Sequence, residues 1–126
     1  MRTIFSWGAV LVAIGSLVAT PADAQVVKET VPGITNYARV ESTVACAGAI
    51  TMEVVPEIKA MGYKSIINLR LASEPGANID AEAAAAKSVG ITFVHIPFNA
   101  AAPDPAVADA FLKALTTPGI EPAFIH

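Results

Sequence analysis

The chain has 126 residues, of which 54% are hydrophobic and 15% are charged. This length is enough for one domain with one hydrophobic core and hardly for two domains. Its 8 basic and 11 acidic residues give a formal net charge of −3 without any basic run, which argues against nucleic acid as a main partner. The single cysteine, Cys46, excludes an internal disulfide and a zinc site built from clustered cysteines.

The first 24 residues have the three parts of a secretory signal peptide. Arg2 gives a positive start, residues 8–19 form an apolar core, and Ala22-Asp23-Ala24 is a small-x-small cleavage site. A helix over that core would be only about 18 Å long, against a hydrocarbon layer of roughly 30 Å. We therefore predict cleavage near Ala24, no permanent membrane anchor and a periplasmic or secreted domain over residues 25–126. A buried N-terminal helix is the alternative.

A hairpin is predicted near the start of this domain. Residues 25–35 show no period and are interpreted as a lead-in segment, whereas residues 36–40 and 43–47 are short runs typical of two paired strands. The small apolar neighbours of Cys46 predict a buried cysteine that acts as a small hydrophobic residue.

The first helix–strand unit follows the hairpin. The Thr51 hydroxyl is expected to cap a helix that Gly62 ends. Residues 65–70 are nearly continuous in apolar character, which predicts a buried parallel strand. The buried stripe of the helix is formed by residues at helical spacing, Val54, Ile58 and Met61.

Two further units complete the chain. A helix over residues 80–89 is followed by a strand over 91–96, and a helix that opens at Asp104-Pro105 is followed by a strand over 123–125. Two strands and three helix–strand units predict an α/β fold, with a mostly parallel sheet and flanking helices. The sequence stops after a buried strand, so we expect the C-terminal part of the domain to be missing.

Three stretches of the sequence resemble the cysteine-dependent phosphatases, which include the dual-specificity and tyrosine phosphatases. They are residues 67–70 with Glu74, residues 90–97 and residues 123–126. The resemblance is closest to the phosphatase-like domain of beta-lactamase hydrolase-like proteins, and it covers roughly residues 35–126. In that family a strand ending in His leads directly into Cys, five further residues and Arg, whereas this sequence stops at His126.

The resemblance implies hydrolysis of a phosphate monoester, on a protein or a small molecule, without a metal or another cofactor. The family's cysteine attacks phosphorus as a thiolate, backbone N–H groups and an arginine bind the phosphate, and an aspartate protonates the leaving oxygen. This sequence holds only the aspartate, for which Asp104 is the candidate. Cys46 precedes the first helix and is no substitute, so the chain as it stands is expected to be inactive.

The other candidate residues each have a structural interpretation beside the functional one. His126 flanks the missing nucleophile, and in the family it orients the phosphate-binding loop. Arg70 could attract phosphate, although an ion pair with Glu74 is preferred. Asp104 before Pro105 is also a good helix cap, which is the preferred interpretation.

Three polar residues are interpreted as purely structural or solvated. His95 and Asn68 are expected to form hydrogen bonds within the core, and Asp109 is expected to be a solvated charge.

Two other functions remain open. One is a rhodanese-like sulfurtransferase, which the hairpin and residues 67–70 favour less, and the other is a non-enzymatic exported binding domain.

Overall fold

The computed structural model describes residues 25–126, and the predicted signal peptide lies outside these described residues. One six-stranded sheet and three α-helices make up the domain. The elements are β1 Val26–Lys28, β2 Ala38–Val40, β3 Val44–Cys46, α1 Val55–Ala60, β4 Ser65–Asn68, α2 Ile79–Val89, β5 Thr92–His95, α3 Pro105–Leu115 and β6 Ala123–Ile125. Across residues 25–126, no helix has the length and apolar character that crossing a membrane requires.

The strands lie in the order β1-β2-β3-β6-β4-β5. Strands β1, β2 and β3 pair antiparallel, whereas β6 pairs parallel with both β3 and β4, and β4 pairs parallel with β5. This confirms the predicted α/β fold with a mostly parallel sheet. Because the last strand of the sequence lies in the middle of the sheet, its carboxyl end is flanked by those of β3 and β4.

The lead-in interpretation of residues 25–35 is wrong, because this segment contains β1. Its three residues pair with β2, from Val26 opposite Val40 to Lys28 opposite Ala38. All three are exposed, so the strand is held by backbone pairing and shows no inward-facing apolar pattern that a sequence could reveal.

The prediction that Cys46 is buried is also wrong. Cys46 is exposed at the end of β3, whereas Ala45 before it is completely buried. Successive side chains of a strand point to opposite faces of the sheet, so the burial of Ala45 directs Cys46 away from that core.

Thr51 does not cap a helix through its side chain. A 3₁₀ turn over Met52–Val54 comes first, and no side-chain capping bond forms. The backbone N–H of Val54 instead donates to the Thr51 carbonyl at 3.2 Å. The α-helix then begins at Val55, with Pro56 in its first turn, where the missing N–H has no intrahelical partner to lose.

The later helices begin and end close to the predicted residues because their termini carry clear signals. The Asn78 side chain accepts a hydrogen bond from the Ala81 N–H at 3.2 Å and caps α2, which begins at Ile79, one residue earlier than predicted. Gly90 ends α2 with φ +73°, a left-handed conformation that glycine adopts without strain. The Asp104 carboxylate accepts from the Ala106 N–H at 2.9 Å and caps α3.

The sheet divides the apolar residues into two cores. Helices α1 and α2 cover one face, on which Ile58, Ala86 and Phe124 are completely buried. Helix α3 packs on the other face through Val107, Phe111 and Leu115 at one-turn spacing, as predicted, although none of its residues is fully buried.

Replacing Phe124 by alanine should remove much of the stability of the domain. The ring is completely buried, stacks on Tyr37 at a centroid distance of 6.3 Å and meets Tyr63 edge-on at 5.7 Å. We expect Phe124→Ala to lower the free energy of unfolding, measured by urea denaturation, by about 3–5 kcal/mol. The control Phe98→Ala removes the same atoms from a side chain that is 42% exposed, and should cost far less. Equal losses in the two variants would contradict the assigned core.

Candidate active site

The carboxyl ends of β4 and β6 are held side by side, and His126 is part of this edge rather than a frayed end. The His126 N–H donates to the Ile67 carbonyl at 3.0 Å, and the His126 carbonyl accepts from the Leu69 N–H at 2.6 Å. In open α/β sheets, the loops that follow this edge build the active site.

The His126 imidazole contacts a buried carboxylate. Its Nε2 lies 2.6 Å from Oε1 of Glu82 on α2, and the two side chains are 1% and 3% exposed. The other carboxylate oxygen, Oε2, accepts a hydrogen bond from Nδ2 of Asn68 at 2.9 Å. Burial of a charged group is costly unless its hydrogen-bonding capacity is satisfied, and both oxygens of Glu82 have partners.

Asn68 connects this pair to the loop after β4. Its Oδ1 accepts from the backbone N–H of Arg70 at 2.8 Å, so its two polar atoms bond to different elements. The predicted hydrogen-bonding role of Asn68 is thereby confirmed. Asn68, Glu82 and His126 form what we call the buried triad.

Glu82 was not predicted as a site residue, although the sequence carries a signal for it. In α2 the apolar positions Ile79, Ala86 and Val89 lie on the same helical stripe as position 82. A glutamate on the inward stripe of an alanine-rich helix needs a buried partner. The sequence alone does not show which strand supplies that partner.

One polar atom of the buried triad has no partner. Nδ1 of His126 is buried and forms no hydrogen bond with any group in residues 25–126. The ring also packs against Phe124, at a centroid distance of 5.9 Å, which restricts its orientation.

The loop after β4 is held by the predicted ion pair between Arg70 and Glu74. Arg70 Nε donates to Glu74 Oε2 at 3.1 Å, and Nη2 donates to the Pro75 carbonyl at 2.9 Å. His95 is hydrogen-bonded, as expected, because its Nε2 lies 2.8 Å from the Arg70 carbonyl oxygen, but it is half-buried rather than part of the core. A contact between Arg70 and substrate phosphate stays a prediction.

Asp104 lies in the loop between β5 and α3. It is exposed, and the structure confirms its role as a helix cap. It also lines an apolar cleft of about 410 Å³ together with Leu69, Phe98 and Phe111. Because Leu69 directly follows β4, the cleft places Asp104 at the same sheet edge as the buried triad. Asp109, by contrast, is an exposed residue of α3, as expected.

Cys46 reaches the same edge but faces away from His126. It pairs with Ile125 in the parallel register of β3 and β6, and paired residues of neighbouring strands point to the same side of the sheet. Ile125 belongs to the core under α3, whereas His126 points towards α2. This geometry agrees with excluding Cys46 as the nucleophile.

A larger cavity, of about 650 Å³, lies at the opposite edge, before β4 and β6. Tyr37, Arg39 and Tyr63 line it. The two tyrosine hydroxyls are 2.6 Å apart, and burial, followed by the bond to Tyr37, raises the pKa of Tyr63 well above its ordinary value. The Tyr63 hydroxyl therefore stays protonated, and we place the candidate active site at the carboxyl edge.

The described residues form no cluster suited to metal binding. Within residues 25–126, no three histidine, cysteine, aspartate or glutamate side chains come together as a metal site would require.

Solved structures of other proteins share the fold of this chain. No protein-family model matches the chain, and no curated protein matches it. A protein from Shewanella putrefaciens CN-32 described as "Putative phosphatase (DUF442)" is 22% identical, with a TM-score of 0.69 over 75% of this chain and 59% of its own. TpbA from P. aeruginosa is 17% identical, with a TM-score of 0.61 over 85% of this chain and 61% of its own.

A third solved structure is the core catalytic domain of the PP-IP phosphatase SIW14 from S. cerevisiae, in complex with citrate. It is 18% identical, with a TM-score of 0.50 over 66% of this chain and 49% of its own. The chain therefore has a phosphatase-like fold. It spans 59% of the Shewanella protein and 61% of TpbA, less than two thirds of either.

Glu74 should titrate below the ordinary value of 4.5, because the Leu71 N–H, and after it Arg70, lower its pKa. The contacts of the Glu74 carboxylate therefore stabilise the folded state fully above pH 4.5, the ordinary value. This stabilisation is lost as the pH falls through the lower, folded-state pKa of Glu74. Arg70→Gln should raise the Glu74 pKa but leave it below 4.5, since the Leu71 bond is the larger cause. Carboxyl ¹³C titration by NMR measures both.

The matched control is Arg39→Gln, which removes an arginine that pairs with Glu29 elsewhere in the domain, at 3.5 Å. This variant should leave the Glu74 titration unchanged. A Glu74 midpoint at or above 4.5 in the unmodified protein would contradict the assigned loop contacts.

Proposed function

We propose that this chain is the front part of an exported, cysteine-dependent phosphatase-like hydrolase that acts on phosphate monoesters. The observation that carries the proposal is the position of His126. It directly follows the central strand of a phosphatase-like sheet, is buried, and is held by Glu82 at 2.6 Å. In the resembling phosphatases the nucleophilic cysteine directly follows a histidine at this strand end.

The proposed chemistry needs no group from the opposite edge of the sheet. A cysteine thiolate after His126 attacks phosphorus, the bond from phosphorus to the leaving oxygen breaks, and Asp104 donates its proton to that oxygen. The Asp104 carboxylate then takes a proton from water, which attacks the phosphocysteine, releases inorganic phosphate and restores the thiolate.

The apolar cleft beside Asp104 supports its proposed role as the acid. A general acid must come within hydrogen-bonding reach of the leaving oxygen, and the cleft leaves room for the remainder of the substrate. Capping α3 uses one oxygen, Oδ1, as an acceptor and is compatible with proton transfer at the other.

Export and the identity of the substrate are further parts of the proposal. The positive start at Arg2, the apolar core and the cleavage site Ala22-Asp23-Ala24 support a cleaved leader and a periplasmic or secreted location. The substrate would be a phosphorylated protein or a small phosphate monoester. We also propose that the domain is most similar to the phosphatase-like domain of beta-lactamase hydrolase-like proteins.

The decisive assay compares the 126-residue chain with the product of the complete reading frame that encodes it. The short chain has no cysteine after Cys46 and no arginine after Arg70, so it should not hydrolyse p-nitrophenyl phosphate above a buffer control. The complete product should hydrolyse it with EDTA present. Activity of the short chain that survives Cys46→Ser, or an inactive complete product, would contradict the proposal.

In the complete product, Asp104→Asn should lower kcat about 10²–10⁴-fold, because the general acid is lost. Asparagine caps helices as well as aspartate, so the fold is retained. The matched control is Asp109→Asn, the same change at an exposed position on α3, which should leave kcat unchanged. Equal activities of the two variants would exclude Asp104 as the acid.

A further inference from the structure

We infer that Glu82 is a positioning residue for His126. Its carboxylate holds the imidazole with the hydrogen on Nε2 and leaves Nδ1 as the ring atom that bonds to the group bound at this sheet edge. The hydrogen position follows from the buried triad alone. The identity of the bound group, the phosphate-binding segment, rests on the proposed function.

The orientation of Asn68 fixes the roles of the two carboxylate oxygens. A backbone N–H can only donate, so the Arg70 N–H at 2.8 Å requires the oxygen of the Asn68 amide. The amide nitrogen then points to Glu82, where Oε2 must accept its hydrogen at 2.9 Å. Oε1 is the oxygen that remains for His126.

The short contact between Oε1 and Nε2 leaves one hydrogen to be placed. Because an imidazole nitrogen is a stronger base than a carboxylate oxygen, the hydrogen belongs on Nε2, which donates at 2.6 Å. The side chains are 1% and 3% exposed, so bulk water does not compete. A charge-assisted hydrogen bond in such surroundings is short and strong.

The remaining ring nitrogen marks where a partner is expected. Nδ1 is buried and has no partner within residues 25–126, and an unsatisfied buried polar atom is costly. Phe124 packs on the ring at a centroid distance of 5.9 Å, and the bond from Nε2 prevents the ring from turning. Nδ1 is therefore held in place for a partner that these residues do not supply.

The variant Glu82→Gln separates this role from simple packing. Glutamine keeps the shape but offers one oxygen and one NH₂ group, whereas Asn68 and His126 both donate to the carboxylate. Asn68 keeps its orientation through Arg70 and takes the oxygen. The NH₂ group then faces Nε2, so the imidazole must accept there and carry its hydrogen on Nδ1. The substitution should switch the tautomer of His126.

The test is long-range ¹H–¹⁵N NMR of the 126-residue chain with labelled histidine, at pH 8. The sequence has only two histidines, and His95 is an internal reference, because its Nε2 faces a carbonyl oxygen that can only accept. We expect hydrogen on Nε2 of both rings in the unmodified chain. In Glu82→Gln the hydrogen should move completely to Nδ1 of His126 and stay on Nε2 of His95.

The matched control is Asp80→Asn, the same carboxylate-to-amide change at an exposed residue of α2, which should alter neither ring. Retention of the Nε2 hydrogen in a folded Glu82→Gln variant would overturn the inference. If that variant does not fold, the unmodified chain decides. A slowly exchanging hydrogen on Nε2 of His126 supports the inference, and its absence overturns it.

These outcomes are independent of catalysis. If His126 carries its hydrogen on Nε2 but the complete product is inactive, this inference stands and the proposed function is contradicted. If the complete product is active but Nε2 of His126 carries no hydrogen, the proposed function stands and this inference is contradicted.

Discussion

The parallel pairing of β6 with β3 and β4 is the constraint on which the candidate site depends. The strand comes last in the sequence but lies between two earlier ones, from Ala123 opposite Val44 and Ser65 to Ile125 opposite Cys46 and Ile67. This register brings the carboxyl ends of three strands to one edge and places the residue after β6 beneath α2. A shift by one residue would turn His126 towards α3 and exchange the two cores.

The buried triad is the second consequence of this arrangement. Within an otherwise apolar layer, Glu82 is tolerated because His126 and Asn68 bond to both of its oxygens. The helix that carries it is rich in alanine, and the completely buried Ala86 allows close approach to the sheet. Removing either partner would leave a buried charge only half satisfied, so the three side chains act as one unit.

Much of the fold was predictable because its boundaries carry local signals. Gly90 and Asp104 mark helix termini through backbone conformation and capping, and these signals do not depend on the rest of the chain. The short strand β1 was missed because its residues are exposed and only pairing with β2 keeps it extended. Cys46 was assigned to the wrong face because small apolar neighbours do not define which residue of a short strand points inward.

The candidate site was predictable only in part. Strand ends placed His126 and Asp104 at one edge, since parallel strands direct their following loops to the same side. The sequence did not reveal Glu82, whose bond to His126 joins residues 44 positions apart. Long-range polar pairs of this kind depend on the packing of a helix on the sheet, which no local pattern specifies.

The proposed phosphatase needs a nucleophilic cysteine and a phosphate-binding loop after His126, as in the phosphatases that the sequence resembles. Three features support the proposal of a phosphate site at this sheet edge. They are the buried imidazole at the end of the central strand, the loop held by Arg70 and Glu74, and Asp104 beside its cleft. The nucleotide sequence directly after the His126 codon is the most direct test. We expect codons for Cys, five residues and Arg, followed by helical sequence. A stop codon there would contradict the enzyme and favour an exported binding domain.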